Sequence, residues 1–156
     1  MKGKETLSVY LSLKKSQQDN LKDVGGFIGG YLNGRRKKGC VTGRDIITLD
    51  LDNCPPESTE SIIQRVSSLG MGYIIYPTRK HSPAAPRLRI LVVTDRTMTP
   101  DEYEPIARKL AQMIQPEMHW FDPTTFQTER LMYWPSCCID GEYIFTYEDK
   151  PFLSAD

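Results

Sequence analysis

Asp45-Ile46-Ile47-Thr48-Leu49-Asp50-Leu51-Asp52-Asn53 is the stretch that sets the fold. A run of β-branched and aliphatic residues leads into two carboxylates at i and i+2. On a strand, alternate side chains share a face, so Asp50 and Asp52 point one way while Leu49 and Leu51 point into a core. Asn53-Cys54-Pro55-Pro56 then breaks the strand as a turn. Two like charges side by side repel and need an opposite charge nearby. A hard divalent cation such as Mg²⁺ or Mn²⁺ is the usual answer, since it takes carboxylate oxygens and keeps positions for water or phosphate. The bland reading is a solvated strand end whose aspartates cap the turn, and for a bare Asp-x-Asp that case is the commoner.

Downstream, Pro55 and Pro56 open a helix over about 57–69, with Ile62, Ile63, Val66 and Leu69 as its buried stripe and Gly70 as its stop. Tyr73 to Tyr76 predicts a short strand closed by Pro77, and 78–86 a loop. Arg87-Leu88-Arg89-Ile90-Leu91-Val92-Val93 is the strongest strand signal, and its alternation puts Arg87 and Arg89 on one face. Thr99-Pro100-Asp101-Glu102 is a capping box, followed by Tyr103, Ile106, Ala107, Leu110 and Ile114 at helical spacing. Pro105 interrupts that pattern, so the regular helix has two candidate starts, at Pro100 and at Pro105. Residues 130–134 and 142–147 predict two closing strands, joined in a hairpin by the turn Ile139-Asp140-Gly141.

Upstream, Leu7, Val9, Leu11 and Leu13 alternate and predict a strand over 6–13, followed by a polar loop over 14–20. From Leu21 onward the apolar spacing is helical, but Gly25, Gly26, Gly29 and Gly30 oppose a helix and equally suit a backbone that approaches a ligand or strand closely. Residues 33–42 predict an exposed basic turn. The order predicts an α+β fold: a small N-terminal α/β portion packed on a split βαβ antiparallel sheet of RNA-recognition type, with helices on one face. Residues 1–150 form one domain and 151–156 a disordered or continuing tail.

Of the chain's 156 residues, 39% are hydrophobic and 26% charged, as in an ordinary soluble domain. The formal net charge of zero opposes a surface coated for tight non-specific nucleic-acid binding, yet Arg35-Arg36-Lys37-Lys38 and Arg79, Lys80, Arg87 and Arg89 form two local basic clusters. The four cysteines, Cys40, Cys54, Cys137 and Cys138, form no Cys-x-x-Cys pair, so free thiols are expected rather than structural zinc or a disulfide. With no signal-type or membrane-length apolar run, the expected location is the cytosol.

A constellation emerges. Asp50 and Asp52 end one strand, His81 sits in the loop after the next, and Arg87 and Arg89 share a face on the third. Asp122 follows the aromatic pair Trp120-Phe121, and Arg130 opens the strand beyond. Nucleotidyl transfer needs this inventory: carboxylates to hold metal ions, and cations to neutralise phosphate charge.

The motifs Asp50-x-Asp52, Thr78-x-x-His81 and Phe121-Asp122 resemble the three motifs of the archaeo-eukaryotic primase (prim-pol) superfamily. The runs 86–92, 121–126 and 130–136 are similar to the primase-like domain of virulence-associated E-type replication proteins of phages and genomic islands. This resemblance implies a DNA-dependent primase-polymerase of phage or mobile-element replication in the cytoplasm of a bacterial host. It implies Asp50, Asp52 and Asp122 as catalytic ligands of Mg²⁺ or Mn²⁺, and His81, Arg87, Arg89 and Arg130 as nucleotide contacts. It also implies single-stranded DNA template, nucleoside triphosphates and a replicative helicase domain or protein as partners. The family spacing before the histidine is one residue shorter than Thr78-x-x-His81.

Three other readings compete. A catalytically inactive prim-pol module binding origin DNA or a replication partner is disfavoured by the intact aspartates. A nuclease would add an Asp/Glu-x-Lys close to the aspartate pair, where the sequence has none, and an Asp-x-Asp glycosyltransferase needs a longer nucleotide domain before the motif.

Overall fold

The alternation around Asp50 forms the sheet its period demands. The computed structural model describes residues 1–156. In chain order its elements are α1 (Leu7–Ser12), α2 (Lys15–Lys22), β1 (Gly26–Phe27), β2 (Gly30–Leu32), β3 (Val41–Leu51), α3 (Thr59–Ser68), β4 (Tyr73–Pro77), β5 (Leu88–Met98), α4 (Pro100–Ile114), β6 (Met132–Tyr133) and β7 (Thr146–Glu148). Two 3₁₀ turns, Met118–Trp120 and Pro123–Phe126, follow α4. The main sheet is antiparallel in the order β2-β3-β5-β4-β7.

One face of this sheet is apolar. Ile47, Leu49 and Leu51 on β3, Leu88, Ile90 and Val92 on β5, and Ile75 on β4 are fully buried beneath Ile62 and Val66 of α3 and Tyr103, Ala107 and Leu110 of α4. Cross-strand partners match across the ladder, Leu49 with Ile90 and Ile90 with Ile75, so hydrogen bonding and burial agree on one register. Each such aliphatic side chain contributes about 1.5–3 kcal/mol on burial. This is an α+β fold. The β3-α3-β4-β5-α4 core is the split βαβ unit, and the edge place of its fourth strand is taken by an irregular segment through Phe121, which bridges antiparallel to Leu51.

α4 starts at Pro100, because the capping box closes: Thr99 N–H donates to Glu102 Oε2 at 2.9 Å. Pro105 stays inside the helix, where its missing N–H would have met the carbonyl of Asp101 on the solvent-exposed first turn.

The N-terminal third departs from expectation. Residues 7–12 and 15–22 are helices, not a strand and a loop. Thr6 caps α1 by accepting the Val9 N–H, and Val9 and Leu11 stay exposed, so the Leu/Val alternation never meets a second sheet face. The glycine-rich stretch is extended and closely approached. A Cβ on Gly26 would lie 2.7 Å from the Met132 carbonyl, and one on Gly30 would collide with that of Gly43. The C-terminal hairpin does not form either. β6 pairs with β1 and β7 with β4, although the turn at Gly141 is present. The tail docks beside β5: Leu153 N–H donates to Val93 O at 3.0 Å, and Ala155 is buried. All four cysteines are free, and no helix is long and apolar enough to cross a membrane.

Arg44 joins these parts. It is fully buried and has no carboxylate partner. Its guanidinium donates to the carbonyls of Gly29, Thr128 and Ile46 and to the Tyr103 hydroxyl, at 2.7–3.2 Å, and lies 4.0 Å from the Tyr103 ring centroid. Burial pushes its pKa down, though the Tyr103 contacts oppose this.

Candidate active site

β3 outruns β2, so its edge past Arg44 needs other hydrogen-bond partners. Thr48 N–H donates to the Tyr103 hydroxyl at 3.2 Å, and Asp50 N–H to Thr125 Oγ1 at 3.0 Å. The Thr125 hydroxyl in turn donates to Thr48 O at 2.8 Å. Asp52 N–H donates to Trp120 O at 3.1 Å, and Asp122 N–H to Asp50 O at 2.8 Å. Main-chain pairing thus carries Asp122 to the side of Asp50 and Asp52. Its own Oδ1 caps the turn Pro123–Phe126, accepting the Thr124 N–H and hydroxyl at 2.9 and 2.8 Å.

The three aspartates line one cavity of about 290 Å³ on the sheet face opposite the core, together with Lys15, Lys22, Arg79, Lys80, Arg87, Arg89 and Arg130. A neutral chain therefore concentrates positive charge at one place. Each aspartate faces an arginine: Asp50–Arg89 at 3.1 Å, Asp52–Arg87 at 3.6 Å and Asp122–Arg130 at 3.9 Å. The first pair is the most buried. Asp50, Arg89 and Tyr76 are direct cross-strand neighbours on β3, β5 and β4. Arg89 also donates to Tyr133 O at 2.9 Å and sits 5.8 Å from the Tyr76 ring centroid. Even so, Asp50 Oδ1 and Arg89 Nε are buried without a partner. Burial pushes the Asp52 carboxyl up, and the charges of Asp122 and Asp50 add to that while Arg87 opposes it. Burial and the neighbouring Arg87, Lys22 and Lys15 push the Lys80 ammonium down.

The donor set suits a hard cation: three carboxylates share the cavity, and a buried carboxylate oxygen lacks any partner. The set is open, since no three His, Cys, Asp or Glu side chains converge on a single point. The arginines now offset the repulsion between the aspartates.

His81 stands apart from the other expected site residues. It is buried outside the cavity lining, with Nδ1 accepting the Arg87 N–H at 3.0 Å and Nε2 lying 3.5 Å from Glu142 Oε1. Burial pushes its pKa down, with Glu142 opposing. Both ring nitrogens thus face groups of the protein and not the cavity. The longer Thr78-x-x-His81 spacing puts Arg79 and Lys80 on the cavity wall instead. Sequence reasoning noted those two only as part of a charge cluster; it missed Lys15 by reading 14–20 as a loop, and Lys22 by starting the helical spacing at Leu21 and so breaking α2 in two. The Lys15–Asp19 and Asp19–Lys22 spacings were the available helical signal.

A search of curated proteins returns no match. Among solved structures, the chain is similar to the AEP domain of the cyanophage S-2L primase-polymerase, with a TM-score of 0.55, 12% identity, and coverage of 92% of this chain and 74% of that one. At such identity the likeness shows a shared fold and nothing finer. The family model described as the VapE N-terminal domain matches residues 1–156. The chain belongs to the VapE N-terminal domain family.

Proposed function

We propose that this domain is a DNA-dependent nucleotidyltransferase, a primase-polymerase that makes or extends primers in phage or mobile-element replication. One observation carries the reading: three aspartates and a surplus of cations line a single cavity on the open face of a prim-pol sheet. Nucleotidyl transfer joins a 3′-hydroxyl to the α-phosphorus of a nucleoside triphosphate and expels pyrophosphate, so negative charge grows on the leaving group. Mg²⁺ or Mn²⁺ held by Asp50, Asp52 and Asp122 would supply Lewis-acid neutralisation of the triphosphate and activation of the hydroxyl. Arg87, Arg130 and Lys80 are exposed enough to bind phosphate oxygens and offset the charge on the departing pyrophosphate. Arg89 is held by Asp50 and Tyr133 and sets the orientation of the Asp50 carboxylate. His81 acts through Arg87, whose backbone it fixes, and so is a positioning residue. Single-stranded DNA and nucleoside triphosphates are the partners proposed, with a replicative helicase domain or protein beside them in the bacterial cytoplasm.

A second reading draws on the arginine pairing. A module whose carboxylates are already neutralised and do not converge could bind origin DNA or a replication partner without synthesis. Labelled-nucleotide incorporation on single-stranded DNA with Mg²⁺ or Mn²⁺ separates the two. The catalytic reading expects product from the wild type and a loss of about 10²–10³-fold or more in Asp52→Ala. Oligonucleotide binding with no incorporation, primed or unprimed, would leave the module.

A further inference from the structure

Beside the cavity, the short ribbon of β1 and β6 carries a feature that the catalytic reading does not use. Phe27 and Trp134 stack with ring centroids 4.6 Å apart and planes 30° from parallel. Trp134 also lines the cavity, yet 50% of its surface is exposed, against 7% for Trp120, the chain's other tryptophan. The main chain that carries the indole is fixed, since the Trp134 backbone N–H donates to Gly25 O at 3.0 Å, and the ring packs against Gly25, where a Cβ would come within 3.2 Å of Trp134 Cδ1. Gly25 also has a φ of 90°, which disfavours other residues there. A large indole fixed by a ring on one side and left half open offers a π-surface at little entropic cost. It has no intramolecular task that demands this exposure.

Cations are anchored to the segments on which Trp134 and the cavity sit. Lys22, which lines the cavity, stands 5.6 Å from the ring centroid of Tyr133, the residue next to Trp134. Arg36 donates to Glu129 O at 3.1 Å and ties the exposed loop of Arg35 to Lys38 to the chain leading into Arg130, which lines the cavity. The basic turn is therefore anchored next to the site. Basic groups tracking a backbone, with an exposed aromatic between them, are what single-stranded nucleic acid requires.

We propose that the Phe27–Trp134 pair is a base-stacking platform for single-stranded DNA, which runs from the 35–38 loop past Trp134 to the cavity. The proposal rests on the reading of the cavity as a nucleic-acid site, and it names where the template strand lies. Lys22 and Arg36 hold its phosphates, and stacking on Trp134 fixes one base at the cavity mouth.

Trp134 reports on its own occupancy, because Trp120 is buried. The full chain is titrated with an oligo(dT) of about 16 nucleotides, following tryptophan emission and the anisotropy of a fluorescein-labelled copy. Saturable quenching is expected in the wild type. Trp134→Ala should lose the quenching and bind about tenfold more weakly, while Trp134→Phe keeps most of the affinity. Lys22→Ala and Arg36→Ala should each lower the slope of log affinity against log salt by about 0.7. Trp120 emission and the melting temperature check that each variant folds, and Trp134→Phe carries the test if Trp134→Ala does not. Equal affinity in wild type and Trp134→Ala would overturn the platform. So would oligonucleotide binding without quenching, quenching by dTTP alone at the same concentration, or tighter binding of oligo(rU) by tenfold or more. Quenching with no nucleotide incorporation by the wild type would keep the platform and sink the catalytic reading. Incorporation with unchanged Trp134→Ala binding would do the reverse.

Discussion

Leu49 and Asp50 are adjacent on one strand and belong to opposite worlds. Leu49 faces the apolar layer with Ile90 and Val92, where every group is satisfied by contact. Asp50 faces the cavity, where aspartates and arginines are paired at unequal distances and three buried polar atoms of the lining, Asp50 Oδ1, Arg79 Nε and Arg89 Nε, have no partner. One face of the sheet stabilises the fold, and the other gathers opposite charges around a cavity. The division is not complete, because the Asp50–Arg89 pair is nearly as buried as the core. That pair is where the comparison can be broken.

The largest effect is expected there. Asp50→Ala leaves a buried guanidinium without its carboxylate, a loss of about 3–5 kcal/mol. Leu49→Ala leaves a core cavity, a loss of about 2–5 kcal/mol. Urea unfolding should show both falls, but only the first should recover when a second change, Arg89→Met, removes the orphaned charge. If Asp50→Ala is harmless, the pair is solvated in solution and the charged face contributes no stability. For the same reason Asp52, with its more exposed partner, is the better aspartate for testing catalysis.

The core face was legible in the sequence because a period of two or 3.6 is a local property, and β3, α3, β4, β5 and α4 all follow one. Asp50, Asp52, Arg87 and Arg89 were legible for the same reason, since strand alternation places them, whereas Asp122 and Arg130 stood out only by the motif around them, and long-range pairing with Asp50 O brings Asp122 to the site. What failed depends on distant pairing. Nothing local tells Met132 that its partner is Phe27, or Thr146 that its partner is Ile75, so a hairpin between 130–134 and 142–147 looked sound. Leu7 to Leu13 alternates like a strand, but its six-residue helix, capped by Thr6, buries only Tyr10. Trp134 was read as part of a closing strand, and its exposure depends on Gly25 and Phe27, more than a hundred residues away in the chain.

His81 offers a smaller and sharper test, because it lies at the border of the two faces. Its Nδ1 accepts the Arg87 N–H, so His81→Ala leaves that donor unpaired, at about 1–3 kcal/mol. Burial holds the folded pKa below the ordinary value of about 6.5. The unfolded chain therefore takes up the proton first as pH falls. The contribution of the neutral ring is complete above about 6.5 and is lost on acidification below it. Thermal melts at pH 8 and pH 5.5 should show a larger fall for wild type than for His81→Ala. A variant with unchanged melting but weakened nucleotide binding would instead make His81 a phosphate ligand.

The smallest effect is expected at Asp52, and its sign is the informative part. Burial raises its folded pKa, and Asp122 and Asp50 raise it further. A raised carboxyl contributes stability that is present below its unfolded value of about 3.9 and is lost as pH rises through the folded value. At neutral pH the ionised group is therefore a local liability, and Asp52→Asn should melt slightly higher than wild type. The gain should stay under about 1 kcal/mol, since Asp52 and Arg87 are each about a third exposed and water screens both. It should vanish in melts near pH 3, where wild type carries the neutral acid as well. The same variant should lose nucleotide incorporation, so stability and activity move in opposite directions at one residue. A variant that melts lower at pH 7 would mean that the Arg87–Asp52 pair holds the loop from Thr78 to Arg87 in place, and the charged face would then carry part of the fold at its exposed rim as well as at Asp50.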